Sequence, residues 1–157
     1  MDRISLPRSP GGLFLCGKHF VGPDPEAAIA RVGATVVVCL SEAAELRDRY
    51  PEYVAWLRAN QPGRAVWFPV PDLHAPALQD AEPLLDQLRS RLDDGETLLL
   101  HCGAGIGRAG TVAAALLITM GVELDEALAT VAADRPTAGP EVGAQADLLA
   151  ALAAART

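Results

Sequence analysis

Aromatic side chains are scarce, with two tryptophans, two tyrosines and three phenylalanines among 157 residues, so the core of this chain has to be built from Ala, Leu and Val. Cysteine is nearly as sparse. Cys16, Cys39 and Cys102 form no CxxC pair, which excludes a disulfide framework and fits a reducing, cytoplasmic compartment. Lys18 is the only lysine, and together with the richness in alanine and arginine this bias fits a GC-rich bacterial genome. Positive charge is in deficit: 13 basic against 20 acidic side chains leave a formal charge of −7, which repels polyanions and excludes nucleic acid as the expected partner. Long apolar runs are missing. Leu98–Leu100 and Val112–Met120 fall short of the roughly 20 residues a membrane span needs, and Met1–Pro10 carries Asp2, Arg3 and Arg8 instead of an apolar signal core.

What is present is an ordinary globular mixture, 50% hydrophobic and 21% charged, in a chain long enough to bury about 70% of its unfolded surface. One domain over residues 1–157 is expected. Short apolar runs, Leu13–Cys16, Thr35–Leu40, Ala65–Phe68 and Thr97–His101, alternate with longer helical patterns. That alternation predicts an α/β fold with a central, mostly parallel sheet of four to five strands flanked by helices. Thr35–Leu40 and Thr97–His101 are continuously apolar, as strands buried on both faces are, and so belong at the centre. Ile4–Leu6 and Leu13–Cys16, parted by Pro7, Pro10, Gly11 and Gly12, form an edge hairpin. Helices are expected at Pro25–Val32, at Glu42–Asn60 with a break at Tyr50-Pro51, and at Ala77–Asp93, whose Leu84, Leu85, Leu88 and Leu92 share one face. Beyond His101 the pattern is wholly helical: Ala109–Met120, Leu124–Asp134 and Glu141–Arg156.

The chemistry concentrates in Leu99-Leu-His-Cys-Gly-Ala-Gly-Ile-Gly-Arg-Ala-Gly-Thr111, which runs from a buried strand through a glycine-rich turn into a helix. Gly103, Gly105 and Gly107 permit backbone conformations that turn successive N–H groups inward, and the helix that follows adds its positive end. Such a turn accepts a tetrahedral oxyanion, with Ala104 and Ile106 completing the phosphate-binding backbone. Cys102 opens the loop and Arg108 closes it six positions later. The planar guanidinium can hold two phosphoryl oxygens at once, and the same field favours the thiolate of Cys102, which makes it a nucleophile.

His101-Cys102-Gly-Ala-Gly105-Ile-Gly-Arg108 resembles the signature loop of the cysteine-dependent protein tyrosine phosphatases, in particular the small dual-specificity and kinase-associated phosphatase branch. Thr35-Val-Val-Val-Cys-Leu-Ser-Glu42, Phe68-Pro-Val-Pro-Asp72 and the segment from Arg135-Pro136 to Gln145 follow the order of that branch. Low-molecular-weight phosphatases and arsenate reductases place a similar loop near the N-terminus, which argues against both. The resemblance implies that Phe68–Pro76 is the general-acid loop and that Asp72 protonates the leaving oxygen; the plainer alternative is a local turn acceptor. It also implies that His101 serves the loop by hydrogen bonding. Gln145 stands where the family often carries a glutamine lining the site, or else lies on the surface of the last helix. Cys39 is either a buried core cysteine or, as in some relatives, a reversible disulfide partner of Cys102. Arg135 is a helix C-terminal cation, or neutralises nearby carbonyls, or touches substrate. His74 is a solvated loop histidine or a rival acid, and Trp56 and Trp67 are packing residues.

The chain departs from the family at Ala109, where a Ser or Thr usually steadies the thiolate; a slowed second chemical step is expected, with Thr111 on another side of the helix. Lipid-directed relatives place lysines in the loop, where this chain has Gly103, Ala104 and Ile106. The expected substrate is therefore a phosphoprotein or phosphopeptide monoester, hydrolysed without metal or organic cofactor. The alternative, resting on Ala109, is a phosphate-binding pseudophosphatase or scaffold module.

Overall fold

The computed structural model describes residues 1–156; the last residue of the expected domain, Thr157, lies outside the described residues. The strands are β1 (Asp2–Ile4), β2 (Gly12–Gly17), β3 (Val36–Cys39), β4 (Ala65–Trp67) and β5 (Thr97–Cys102), in the sheet order β1-β2-β5-β3-β4. The helices are α1 (Lys18–Val21), α2 (Pro25–Val32), α3 (Ala43–Leu46), α4 (Pro51–Asn60), α5 (Leu78–Asp93), α6 (Gly107–Thr119), α7 (Leu124–Asp134) and α8 (Gly143–Ala154). Among the described residues only β1 runs antiparallel, pairing Ile4 with Leu13; the hairpin forms with its first strand two residues earlier than the apolar pattern indicates. β5 is central and parallel to both neighbours, with Cys16 and Cys39 each paired to His101.

Side-chain alternation along the strands divides the core into two faces. Leu13, Leu15, Val36, Val38, Leu98, Leu100 and Cys102 pack against α5, α6 and α8. Cys16, Val37, Cys39 and Leu99 pack with Ile29 of α2 and with Tyr53, Val54 and Leu57 of α4. The leucine stripe of α5 is buried as its spacing predicts, each side chain contributing on the order of 1.5–3 kcal/mol. α6 is buried at every one of its 13 positions, as an apolar helix between other helices must be. Gly110 lets the chain after α7 approach: a Cβ there would stand 2.3 Å from Gly139 N, whose N–H donates to Ile106 O.

Two helix starts differ by two residues from the sequence pattern, and the short α1 has no counterpart in it. α6 begins at Gly107 rather than Ala109 because the Gly110 N–H already reaches Ile106 O at 3.0 Å, which puts Arg108 in the first helical turn. α8 begins at Gly143 rather than Glu141, since the Glu141 N–H is taken by Gln145 Oε1 at 2.7 Å. The parallel strands β2, β5 and β3 end together at Gly17, Cys102 and Cys39, and the glycine-rich loop emerges at that edge.

Candidate active site

A turn can bind an anion only if its carbonyls are drawn outward, because each peptide that turns its N–H in must turn its C=O out. The carbonyls from Cys102 to Ile106 all have outward partners. Cys102 O accepts from His101 Nδ1 at 3.0 Å and Gly103 O from the Lys18 N–H at 2.8 Å. Ala104 O and Gly105 O accept from Arg135 Nη2 and Nε at 2.9 and 2.8 Å, and Ile106 O accepts from the Gly110 and Gly139 N–H groups. The backbone N–H groups of Gly103 to Arg108 have no protein acceptor among the described residues. Gly105 makes the turn possible with φ +75°, and a Cβ there would stand 2.3 Å from Cys16 O. No other residue type fits.

The cleft over this loop has a volume of about 380 Å³ and is lined by Cys102, Gly103, Ala104, Gly107, Arg108 and Asp72, with Lys18, His19, Glu45, Leu73 and Glu141 at its walls. Cys102 is 3% exposed. Arg108, likewise nearly enclosed, donates from both Nη atoms to Glu45 at 2.7 and 2.8 Å and from Nη1 to Val70 O at 2.7 Å. Burial opposes the charge on both partners, but the paired hydrogen bonds outweigh it, holding the Glu45 carboxyl below and the Arg108 guanidinium above its ordinary range. Arg108 Nε is buried without a partner among the described residues. His101 is fully buried, and burial pushes its pKa down to about 4 against the opposing bond to Cys102 O. A neutral ring donating from Nδ1 must accept at Nε2, where the Tyr53 hydroxyl lies at 2.6 Å.

Asp72 stands at the apex of a loop anchored on both sides. Val70 O is held by Arg108, and His74 O accepts from Gln145 Nε2 at 3.2 Å. Between them Asp72 Oδ1 accepts the Leu73 N–H at 2.9 Å and lies 3.5 Å from Arg108 Nη2. The turn-acceptor geometry and a position over the cleft thus coexist in one residue. His74 turns its Nδ1 to the Asp72 carbonyl and does not line the cleft.

Several expectations are refined. Gln145 is neither a surface residue nor a wall of the cleft: it is 1% exposed and ties Glu141 to the Asp72 loop. Arg135 caps α7, but its guanidinium goes to loop carbonyls and to Asp2. Cys39 packs on the face of the sheet opposite Cys102, with its Sγ on Ser41 O, and burial pushes it up to about 12, so strand parity opposes the pairing seen in some relatives. Thr111 Oγ1 donates back to Gly107 O at 2.6 Å and cannot replace the hydroxyl missing at Ala109. Trp56 and Trp67 pack and also donate, to Glu26 and Ser41 O. Lys18 brings a cation to the cleft that the loop sequence did not contain. Glu45 was missed altogether; its only local signal is the reciprocal capping box with Glu42.

The family model for the phosphatase domain of Swiss Army Knife proteins, of the dual-specificity protein tyrosine phosphatase type, matches residues 13–150. The chain belongs to this family. Among solved structures, the phosphatase-family protein Tk-PTP in its active form is 26% identical with a TM-score of 0.73, covering 98% of this chain and 97% of that one. Kinase-associated phosphatase superposes with a TM-score of 0.75 at 21% identity over 94% of this chain and 90% of its own, a likeness of fold. A phosphatidylinositol 3,4,5-trisphosphate 3-phosphatase and protein-tyrosine-phosphatase of Arabidopsis thaliana is 35% identical over 77 residues, 48% of this chain and 19% of that protein. The chain therefore spans about a fifth of that relative. The dual-specificity fold is a single α/β domain with a five-stranded, mostly parallel sheet. No helix among the described residues is long and apolar enough to cross a membrane.

Proposed function

We propose that residues 1–157 form one phosphatase domain that hydrolyses phosphomonoesters of proteins, tyrosine and the smaller hydroxyl residues included, through a cysteinyl-phosphate. The observation that carries this reading is the loop's hydrogen-bond pattern: its carbonyls are engaged outward while the N–H groups of Gly103, Ala104, Gly105, Ile106, Gly107 and Arg108 have no acceptor among the described residues. A dianionic phosphoryl group meets those donors and the unpartnered Arg108 Nε. The Cys102 thiolate forms the S–P bond as the P–O bond breaks, and Asp72 gives its proton to the departing oxygen. Asp72, now a carboxylate, takes a proton from water as that water attacks phosphorus, releasing phosphate and the thiolate. His101 and Gln145 act as supports, fixing the loop's first carbonyl and the acid loop. No metal enters these steps. The three free cysteines, all buried, support a reducing, cytoplasmic setting. A phosphate-binding module without turnover has only Ala109 in its favour.

Release of para-nitrophenol from para-nitrophenyl phosphate tests the reading. Turnover disappears in Cys102→Ser and falls by roughly 10²- to 10⁴-fold in Asp72→Asn. A wild-type protein that binds phosphopeptide but never turns over would replace it with the module.

A further inference from the structure

The anion loop depends on the groups that draw its carbonyls outward. Of the five carbonyls from Cys102 to Ile106, three are held by the adjacent His101 ring or by backbone donors: the Lys18 N–H at the start of α1, and the Gly110 and Gly139 N–H groups. The two in the middle of the turn, Ala104 O and Gly105 O, depend on one side chain that comes from the far end of α7. These are the peptides whose reorientation would swing the N–H groups of Gly105 and Ile106 out of the cradle. Arg135 reaches them with two donors in a rigid fork, something a lysine could not do.

Arg135 is itself positioned. Its remaining Nη1 pairs with Asp2 Oδ2 at 2.8 Å, with the two side chains 13% and 39% exposed. The neighbouring Asp134 accepts the Ser5 N–H at 2.7 Å, so β1 and the end of α7 are pinned together twice. All the donors on the Arg135 guanidinium that point at protein are thereby directed at the loop or at the strand that orients it.

Building on the phosphatase reading, we propose that Arg135 is a positioning residue that clamps the outer face of the phosphate loop, keyed by Asp2 of the edge strand. It touches no substrate atom: the carbonyls it holds point away from the cleft, and it is absent from the cleft wall. Its effect is on how many loop amides face the phosphoryl group, so it acts on affinity for any tetrahedral oxyanion, in ground state and transition state alike.

The experiment compares binding of inorganic phosphate, by calorimetry in the Cys102→Ser background, with steady-state hydrolysis of para-nitrophenyl phosphate in otherwise wild-type protein. Arg135→Ala is expected to weaken phosphate binding and raise KM by about 10- to 100-fold, with the fold retained by circular dichroism. Arg135→Lys recovers part of this, and millimolar methylguanidinium added to Arg135→Ala restores phosphate binding, which a general loss of stability would not permit. Should Arg135→Ala fail to fold, Asp2→Asn, expected to weaken binding by about 2- to 5-fold, carries the test. Phosphate affinity unchanged in Asp2→Asn and in any folded Arg135 variant would overturn the clamp while leaving the phosphatase reading intact. A parent protein that neither binds phosphate nor turns over would overturn the phosphatase reading, and the clamp with it.

Discussion

Removing the negative charge at Glu45 is the sharpest test of how the site is held. Arg108 is 3% exposed and its two Nη atoms both rest on Glu45, which is itself 22% exposed. Breaking a buried pair by deleting one partner costs about 3–5 kcal/mol, because a desolvated charge is left behind. Glu45→Gln keeps one acceptor oxygen, Val70 O still takes Nη1, and Glu45 is partly wetted, so the low end, about 3 kcal/mol, applies. For a domain of this size each kcal/mol moves the melting temperature by about 2–4 °C, which gives a drop of about 6–12 °C at pH 7. The sign of the pH effect follows from the direction of the shift. The folded Glu45 carboxyl titrates below its unfolded value, so the wild-type advantage is complete above the ordinary carboxylate range near 4.3 and fades as pH falls through the lowered folded value. The two melting curves should converge in acid. Differential scanning calorimetry from pH 7 to pH 3 measures this directly; equal melting temperatures at pH 7, or a gap that persists unchanged in acid, would refute the account of Arg108 as a buried cation that Glu45 neutralises.

Three other outcomes follow from the same geometry. Gly105→Ala forces a Cβ against Cys16 O at a φ of +75°, a conformation costing an L side chain about 1–2 kcal/mol before the clash is counted; phosphate binding measured by calorimetry should be lost although the sheet persists. Ala109→Ser restores a hydroxyl at the residue after Arg108 and is expected to speed phosphoenzyme hydrolysis, read as a smaller burst and higher steady-state turnover on an aryl phosphate; if neither changes, Ala109 is not what limits the second step. His101, pushed down to about 4, stays neutral while its unfolded counterpart charges near 6.5, so the fold loses stability as pH drops from about 6.5 to about 4 and gains nothing above that window. In His101→Gln that part of the pH dependence should vanish from the unfolding curves, and an unchanged slope would assign it to other groups.

The sheet was legible because its strands announce themselves locally. Val36–Cys39 and Leu98–Leu100 are apolar on both faces, and a strand so composed has no place but the middle of a covered sheet. The phosphate loop was legible for a related reason: Cys102, three glycines and Arg108 lie within seven consecutive residues, so chain geometry alone brings them to one turn. Asp72 required the further resemblance of a whole loop, since an aspartate beside proline has a commoner local role, which it also plays here.

Glu45, Tyr53 and Arg135 could not be read this way. Each makes its decisive contact across the fold, to Arg108 63 positions away, to His101 48 positions away, and to Gly105 30 positions away. A lone acid or phenol in a helical pattern carries no sign of such a partner, and for Arg135 the carbonyl contact stood as one of three open alternatives. The same holds for Cys39, whose spacing allowed a bond to Cys102 until strand register put the two sulfurs on opposite faces. By itself the amino-acid order determined most of the elements, the centre of the sheet and the nucleophile-to-arginine turn, because those depend on neighbours along the chain. Tertiary packing alone decided which distant groups hold that turn open, because the partners of a buried polar atom are set by what lies beside it in space.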